Sequence, residues 1–117
     1  MSTEKHFETE AIRNQMDRTP YSEHSTPLFL TSSFIFDDAE DMRASFAEEK
    51  EKNLYSRFTN PNTTEFIDKI VKMEGAESGY AFATGMAAIY ATFAGLLSAG
   101  DHIVSARSVF GSTHTLF

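Results

Sequence analysis

The sequence has no cysteine, no tryptophan, only three prolines, and a shortage of positive charge: ten Lys and Arg against seventeen Asp and Glu. Without cysteine, neither a disulfide framework nor a thiolate metal site can form. A net charge of −7 argues against a general nucleic-acid surface, which needs a concentrated basic patch. No apolar run approaches the roughly 20 residues that cross a bilayer. The longest, residues 87–97, is interrupted by Tyr90, Thr92 and Gly95. The first residues are polar and lack the apolar stretch of a secretory leader. The expectation is a cytoplasmic protein with no membrane or nucleic-acid partner.

Catalytic and metal-binding signatures are also missing. His6, His24, His102 and His114 show no metal-ligand spacing, so they are read as structural, with no metal site. No nucleophile elbow is present. Lys5, Lys50, Lys52, Lys69 and Lys72 stand in charged, solvent-facing contexts, none suited to a Schiff base.

What the chain does have is phenylalanine, eleven of them beside four tyrosines. Phe demands burial without offering a hydrogen bond, which points to extensive packing or an interface. Residues 1–36 lack sustained helical periodicity. Within them, residues 27–36 are apolar and β-leaning with no hairpin partner, which predicts an arm wrapped on a neighbouring domain or subunit. Asp37-Asp38 offers an N-cap to an acidic helix over 39–52, whose run Glu48-Glu49-Lys50-Glu51 reads as a solvated helix face. Residues 53–62 read as loop. A second helix follows over 63–74, with Phe66, Ile67, Ile70, Val71 and Met73 as its stripe and Gly75 as its stop.

Beyond Gly75 the pattern becomes β-leaning at 79–83, turns at Thr84-Gly85-Met86, becomes an uncharged helix over 87–98, turns at Gly100-Asp101, and becomes β-leaning again at 102–106. This predicts a strand–helix–strand unit with parallel strands and a helix buried on most sides. A further helix begins near Gly111. Two strands and one covering helix leave a parallel sheet half bare, so the reading is the N-terminal piece of a larger α/β protein.

Three places carry residues suited to anion or ring binding. Gly85 lets a ligand approach the backbone at a helix N-terminus, where free N–H groups and the helix dipole attract anions; an ordinary tight turn has the same look. Tyr55 and Arg57, two apart on an extended segment, would project alike and together offer a phenol and a fork of donors to a phosphate. A surface arginine beside a packing tyrosine fits as well. Phe110, just past the second β-like run, lies where ligands of open α/β sheets bind and could stack on a flat ring or belong to the core.

Taken in order, Tyr55-Ser-Arg57-x-x-Asn60-Pro61, Ala83-Thr84-Gly85-Met86-Ala87-Ala88-Ile89, Gly100-Asp101-His102 and Phe110-Gly111-x-Thr113 resemble the cystathionine γ-synthase family. These are pyridoxal-phosphate (PLP) dependent enzymes of Cys/Met metabolism. The resemblance covers nearly the whole chain, and the arm and residues 108–114 resemble its O-succinylhomoserine sulfhydrylases.

The resemblance implies an aspartate-aminotransferase type (fold type I) α/β fold with an extended N-terminal arm. Residues 1–60 would make inter-subunit contacts, and 61–117 would begin the PLP-binding large domain. It implies that Gly85 and Met86 bond the cofactor phosphate through backbone N–H groups, and that Tyr55 and Arg57 reach the phosphate of a neighbouring subunit's cofactor. It implies a homo-oligomer, a dimer of dimers with shared sites, acting on an activated homoserine and sulfide to make homocysteine. Cystathionine γ-synthase or γ-lyase chemistry, or a non-catalytic phosphate-binding α/β module, are the alternatives. Where Phe110 stands the family usually has tyrosine, so an acid–base role for that hydroxyl does not carry over. The family's Schiff-base lysine and the aspartate that pairs with the pyridine nitrogen have no counterpart in this sequence, so no catalytic residue is assigned.

Overall fold

The computed structural model describes residues 6–117; the reading of the N-terminal residues as no leader, and of Lys5 as no Schiff-base lysine, falls outside them. Five helices form: α1 (Phe7–Arg13), α2 (Ala39–Phe46), α3 (Pro61–Glu74), α4 (Gly85–Leu96) and α5 (Gly111–Leu116). The chain divides into two compact units, Met1–Gly79 and Tyr80–Phe117.

In the first unit α3 is the central element. Asn60 caps it, its side chain accepting from Asn62 N at 2.9 Å, and Pro61 occupies the first turn, where a missing N–H costs nothing. The helix ends at Gly75, which takes the left-handed conformation (φ 64°) while Ala76 N bonds back to Val71 O at 3.0 Å. A side chain at that φ is strained, so glycine is the natural stop.

Helix α1 packs on α3, with Lys72 Nζ 2.7 Å from Glu10 Oε2. The sequence reading missed α1, because a helix of about two turns is too short for periodicity to register. Glu65, on α3, accepts from Met16 N at 3.3 Å and from Thr26 Oγ1 at 2.6 Å, tying the intervening segment to the helix.

Two expectations for this unit need correction. The segment 27–36 is not without a partner: Phe34 N donates to Leu54 O (3.2 Å) and Ser56 N to Ser32 O (2.9 Å), around one antiparallel bridge between Ser33 and Tyr55. Part of its backbone is thus bonded within its own chain, whereas the side chains of Leu28, Leu30 and Ile35 stay exposed.

Helix α2 also stops at Phe46, six residues short of the expected end. Asp38 caps its start, accepting from Asp41 N at 2.8 Å. Past Ala47 the chain reverses through Glu48 (φ 59°), and Lys50 and Lys52 both donate to the Asp41 carboxylate. Glu48 to Glu51 are therefore a turn and not a helix face, and Lys50 and Lys52 are committed to an ion pair. Lys52 also lies over the Phe36 ring, 5.2 Å from its centroid.

In the second unit α4 is capped by Thr84, whose hydroxyl accepts from Ala87 N at 3.1 Å. Helix α5 packs against α4, and Phe93 meets Phe117 edge to face at 5.1 Å. Gly100 (φ 101°) makes the expected turn, with Asp101 N bonded to Ser98 O at 3.0 Å.

The predicted strands at 79–83 and 102–106 do not form: both stretches are extended, but no ladder is present among the described residues. A strand exists only through a partner's hydrogen bonds, and neither stretch meets one. Nor is α4 buried as its composition led one to expect. Among the described helices it packs against α5 alone, and Tyr90 and Leu96 are more than half exposed.

Among the described residues no hydrophobic side chain is fully buried; the four buried residues are Asp41, Ser45, Asn60 and Thr113. The first unit is therefore fastened by hydrogen bonds and ion pairs more than by a core, each neutral bond contributing about 1 kcal/mol net.

Candidate phosphate-binding site

Two features of the chain can hold an anion, one in each unit. The first is the N-terminus of α4. An α-helix leaves its first N–H groups without intrahelical partners. Here Ala88 N bonds to Thr84 O, and Ala87 N is taken by the Thr84 hydroxyl. The N–H groups of Gly85 and Met86 accordingly have no acceptor among the described residues. They stand at the positive end of a twelve-residue helix, where backbone donors and the helix dipole act together on a negative charge. A side chain at Gly85 would meet nothing within 4 Å. The sequence placed the helix start two residues late, at Ala87, and so underestimated how directly Gly85 and Met86 belong to this end.

The second feature is the turn that carries Tyr55 and Arg57. The expectation that both project alike from an extended segment is not met. The Tyr55 carbonyl accepts from Phe58 N (2.8 Å) and Thr59 N (3.0 Å), which curls the chain immediately after the bridge to Ser33. The juxtaposition arises from the side chain instead. Arg57 folds back so that its guanidinium carbon lies 4.7 Å from the Tyr55 ring centroid and 5.3 Å from that of Phe58. A cation–π contact uses the charge of the guanidinium and does not consume its N–H donors, which remain available to an anion. Among the described residues no carboxylate pairs with Arg57, in contrast to Arg43, which is held between Glu40 (2.7 Å) and Glu49 (2.8 Å). Those two carboxylates, Glu49 first, push the Arg43 pKa up.

Asn60 and Asn62, expected only as loop and motif members, tie this turn to the arm. Asn62 accepts from Phe29 N (2.8 Å) and donates to Pro27 O (2.8 Å). Asn60 donates to Phe29 O (3.1 Å) and to Ser56 Oγ (3.0 Å). The available signal was an Asn on either side of a proline at a helix start, a pattern rich in capping geometry.

Phe110 immediately precedes α5 and is 71% exposed, its ring in contact with no other aromatic ring of the described residues. His6 precedes α1 without capping it, and His114 lies in α5. No group of three or more His, Asp or Glu side chains converges as a metal site among the described residues. No described helix is long and apolar enough to cross a membrane.

Each of these two features, taken by itself, offers donors chemically suited to an anion, and the chain also matches a known family. Residues 8–117 match the model of the Cys/Met metabolism PLP-dependent enzymes. The chain belongs to this family. It is 50% identical over 111 residues to an O-succinylhomoserine sulfhydrylase of Pseudomonas aeruginosa, an alignment covering 95% of this chain and 28% of that protein. With an L-methionine gamma-lyase of Fusobacterium nucleatum it shares 39% identity over 108 residues, covering 92% of this chain and 27% of the relative.

Among solved structures it superimposes with a TM-score of 0.89 and 26% identity on a protein of Campylobacter jejuni described as an O-acetylhomoserine (thiol)-lyase. That structure was solved with an N′-pyridoxyl-lysine-5′-monophosphate, and the match covers 97% of this chain and 28% of the other. The fold is thus that of the N-terminal portion of a fold type I PLP-dependent enzyme, with its extended arm, as the motifs implied. The chain spans little more than a quarter of the length of the proteins it matches.

Proposed function

We propose that this chain supplies the phosphate-gripping part of a PLP site in a homo-oligomeric, cytoplasmic enzyme of sulfur amino-acid metabolism. The observation that carries the reading is that donors at the family's motif positions have no partner among the described residues. These are the Gly85 and Met86 N–H groups at the start of α4 and the guanidinium of Arg57.

In this reading Gly85 and Met86 of one subunit and Tyr55 and Arg57 of another bind the same phosphate, within a dimer of dimers. Residues 1–60 serve inter-subunit contacts, and residues 61–117 begin the cofactor-binding domain. When bound, PLP supplies the electron sink for the reaction. The chain's own residues anchor and orient it. Backbone N–H groups and a guanidinium fix the phosphate without needing to be charged or discharged at any step, so the grip works across a broad pH range. Phe110 packs on the pyridine ring. Having no hydroxyl, it can neither give nor take a proton there, and proton transfer at that face falls to another group.

The proposed reaction is replacement of the γ-substituent of O-succinylhomoserine by sulfide, giving homocysteine, in line with the 50% identity to the Pseudomonas sulfhydrylase. Gamma-elimination, or a cystathionine γ-synthase reaction, is the second reading; the 39% identity to a methionine gamma-lyase supports elimination. Supplying O-succinylhomoserine with and without sulfide separates replacement from elimination, since elimination yields a 2-oxo acid and ammonia in the absence of sulfide.

The phosphate grip is tested by titrating the full-length protein with PLP and with pyridoxal, following the visible absorbance of the bound form. The expected result is binding about 100-fold tighter for PLP, with the preference reduced in Arg57→Ala. Equal affinity for the two aldehydes in the wild-type protein would remove the proposal.

A further inference from the structure

Asn60 is 8% exposed, one of four buried residues among those described, and all of them are polar. A buried primary amide is costly unless its donors and acceptor are paired, and this one makes three bonds to three separate pieces of chain. Its oxygen accepts from Asn62 N (2.9 Å) and starts α3. Its nitrogen donates to Phe29 O (3.1 Å) in the arm and to Ser56 Oγ (3.0 Å) inside the turn. Ser56 passes the connection on, its hydroxyl donating to Thr31 O.

Ser56 lies between Tyr55 and Arg57. Capping alone accounts for the oxygen of Asn60, and Ser, Thr or Asp would serve equally there. The nitrogen is what distinguishes asparagine: it holds the middle of the turn against both the arm and the helix start.

We infer that Asn60 is a positioning residue for the phosphate grip, acting through Ser56 on the turn that places Arg57 against Tyr55. This rests on the proposed function of Tyr55 and Arg57. With the Nδ2 bonds gone, the helix still starts, but the turn can shift relative to the arm. Arg57 then approaches the phosphate in a spread of geometries, and a fork of donors loses much of its advantage when misaimed.

The test is a double-mutant cycle in the full-length protein with Asn60→Ser and Arg57→Ala, reading the ratio of PLP to pyridoxal affinity and the melting temperature. Serine is neutral and caps a helix nearly as well as asparagine, so it removes the two donors without adding charge beside Arg57. The expected result is a roughly tenfold fall in the ratio for Asn60→Ser, with pyridoxal affinity unchanged. In the Arg57→Ala background Asn60→Ser should have little further effect, because residues acting through one another are not additive.

Additive effects, or equal losses for PLP and pyridoxal, would show that Asn60 serves only structure, leaving the grip itself intact. An unchanged ratio in Arg57→Ala alone would instead sink the function on which the inference rests. Should Asn60→Ser fail to fold, Ser56→Ala breaks the same link from the turn side, and the same outcomes apply.

Discussion

The guanidinium carbon of Arg57 lies 4.7 Å from the centroid of the Tyr55 ring, in a turn where no carboxylate of the described residues pairs with it. An arginine kept unpaired and stacked is oriented in advance, so less side-chain entropy is lost when an anion arrives. Arg57→Lys keeps the charge but loses the fork and the stacking plane. PLP affinity should fall about tenfold in Arg57→Lys and further in Arg57→Ala, whereas Tyr55→Phe, which retains the ring contact, should fall less than either. Cofactor titration of the three variants checks the order.

The α4 start allows a backbone donor to be deleted without disturbing a side chain. Proline is tolerated at the first helical position, and the preceding Thr84 is extended (φ −145°, ψ 152°), the conformation that proline demands of its neighbour. Gly85→Pro should therefore fold, keep α4, and lose PLP affinity by about tenfold relative to pyridoxal. Gly85→Ala retains the N–H and has open space for its methyl within the chain, so α4 should be kept and any loss of PLP affinity should be smaller than in Gly85→Pro. Circular dichroism with cofactor titration reads both effects.

Helix ends set two stability predictions. Thr84→Ala removes the hydroxyl that accepts from Ala87 N and should cost about 1 kcal/mol, with Thr84→Ser close to neutral. Gly75→Ala places a side chain at φ 64° and should cost about 1 kcal/mol as well. Urea unfolding of the full-length protein measures each.

The Asp41 carboxyl is held well below the usual carboxylate range by hydrogen bonds from Lys50 first, then Lys52, then the Asp37 N–H. A depressed folded-state pKa contributes stability that is complete above the unfolded value, about 4, and is lost as pH falls toward the lower folded value. Asp41→Asn removes that contribution. The wild-type advantage over Asp41→Asn should be largest near neutral pH and should shrink as pH drops below about 4, a trend that melts in buffers across this range record.

The parts of this fold legible in the sequence are those governed by local chemistry. The Asp38 cap, the Gly75 stop of α3 and the Gly100 turn follow from side chains and φ preferences within a few residues, whereas Pro61, read as loop, starts α3 two residues before the expected Thr63. The α4 boundary was misplaced by two residues because Gly85 and Met86 carry no periodic signal. The early end of α2 depends on Asp41 drawing in Lys50 and Lys52 from nine and eleven residues away, which no pattern within a helical window registers.

The β-like runs at 79–83 and 102–106 have strand composition, yet composition cannot supply a ladder partner. Tyr55, Arg57, Gly85, Met86 and Phe110 stood out through motif order. Asn60 stood in the same motif, but its work is a buried hydrogen-bond pattern that only the folded arrangement reveals.

The most direct test of the two-subunit grip is complementation between Arg57→Ala and Gly85→Pro subunits, each tagged differently, co-expressed and isolated as mixed oligomers. If one subunit contributes Gly85 and its neighbour Arg57, each mixed dimer regains one intact site of its two, so about half the sites should bind PLP with wild-type affinity. Homo-oligomers of either variant should show none. A mixed population in which no site recovers would place both groups in the same subunit's site and contradict the account.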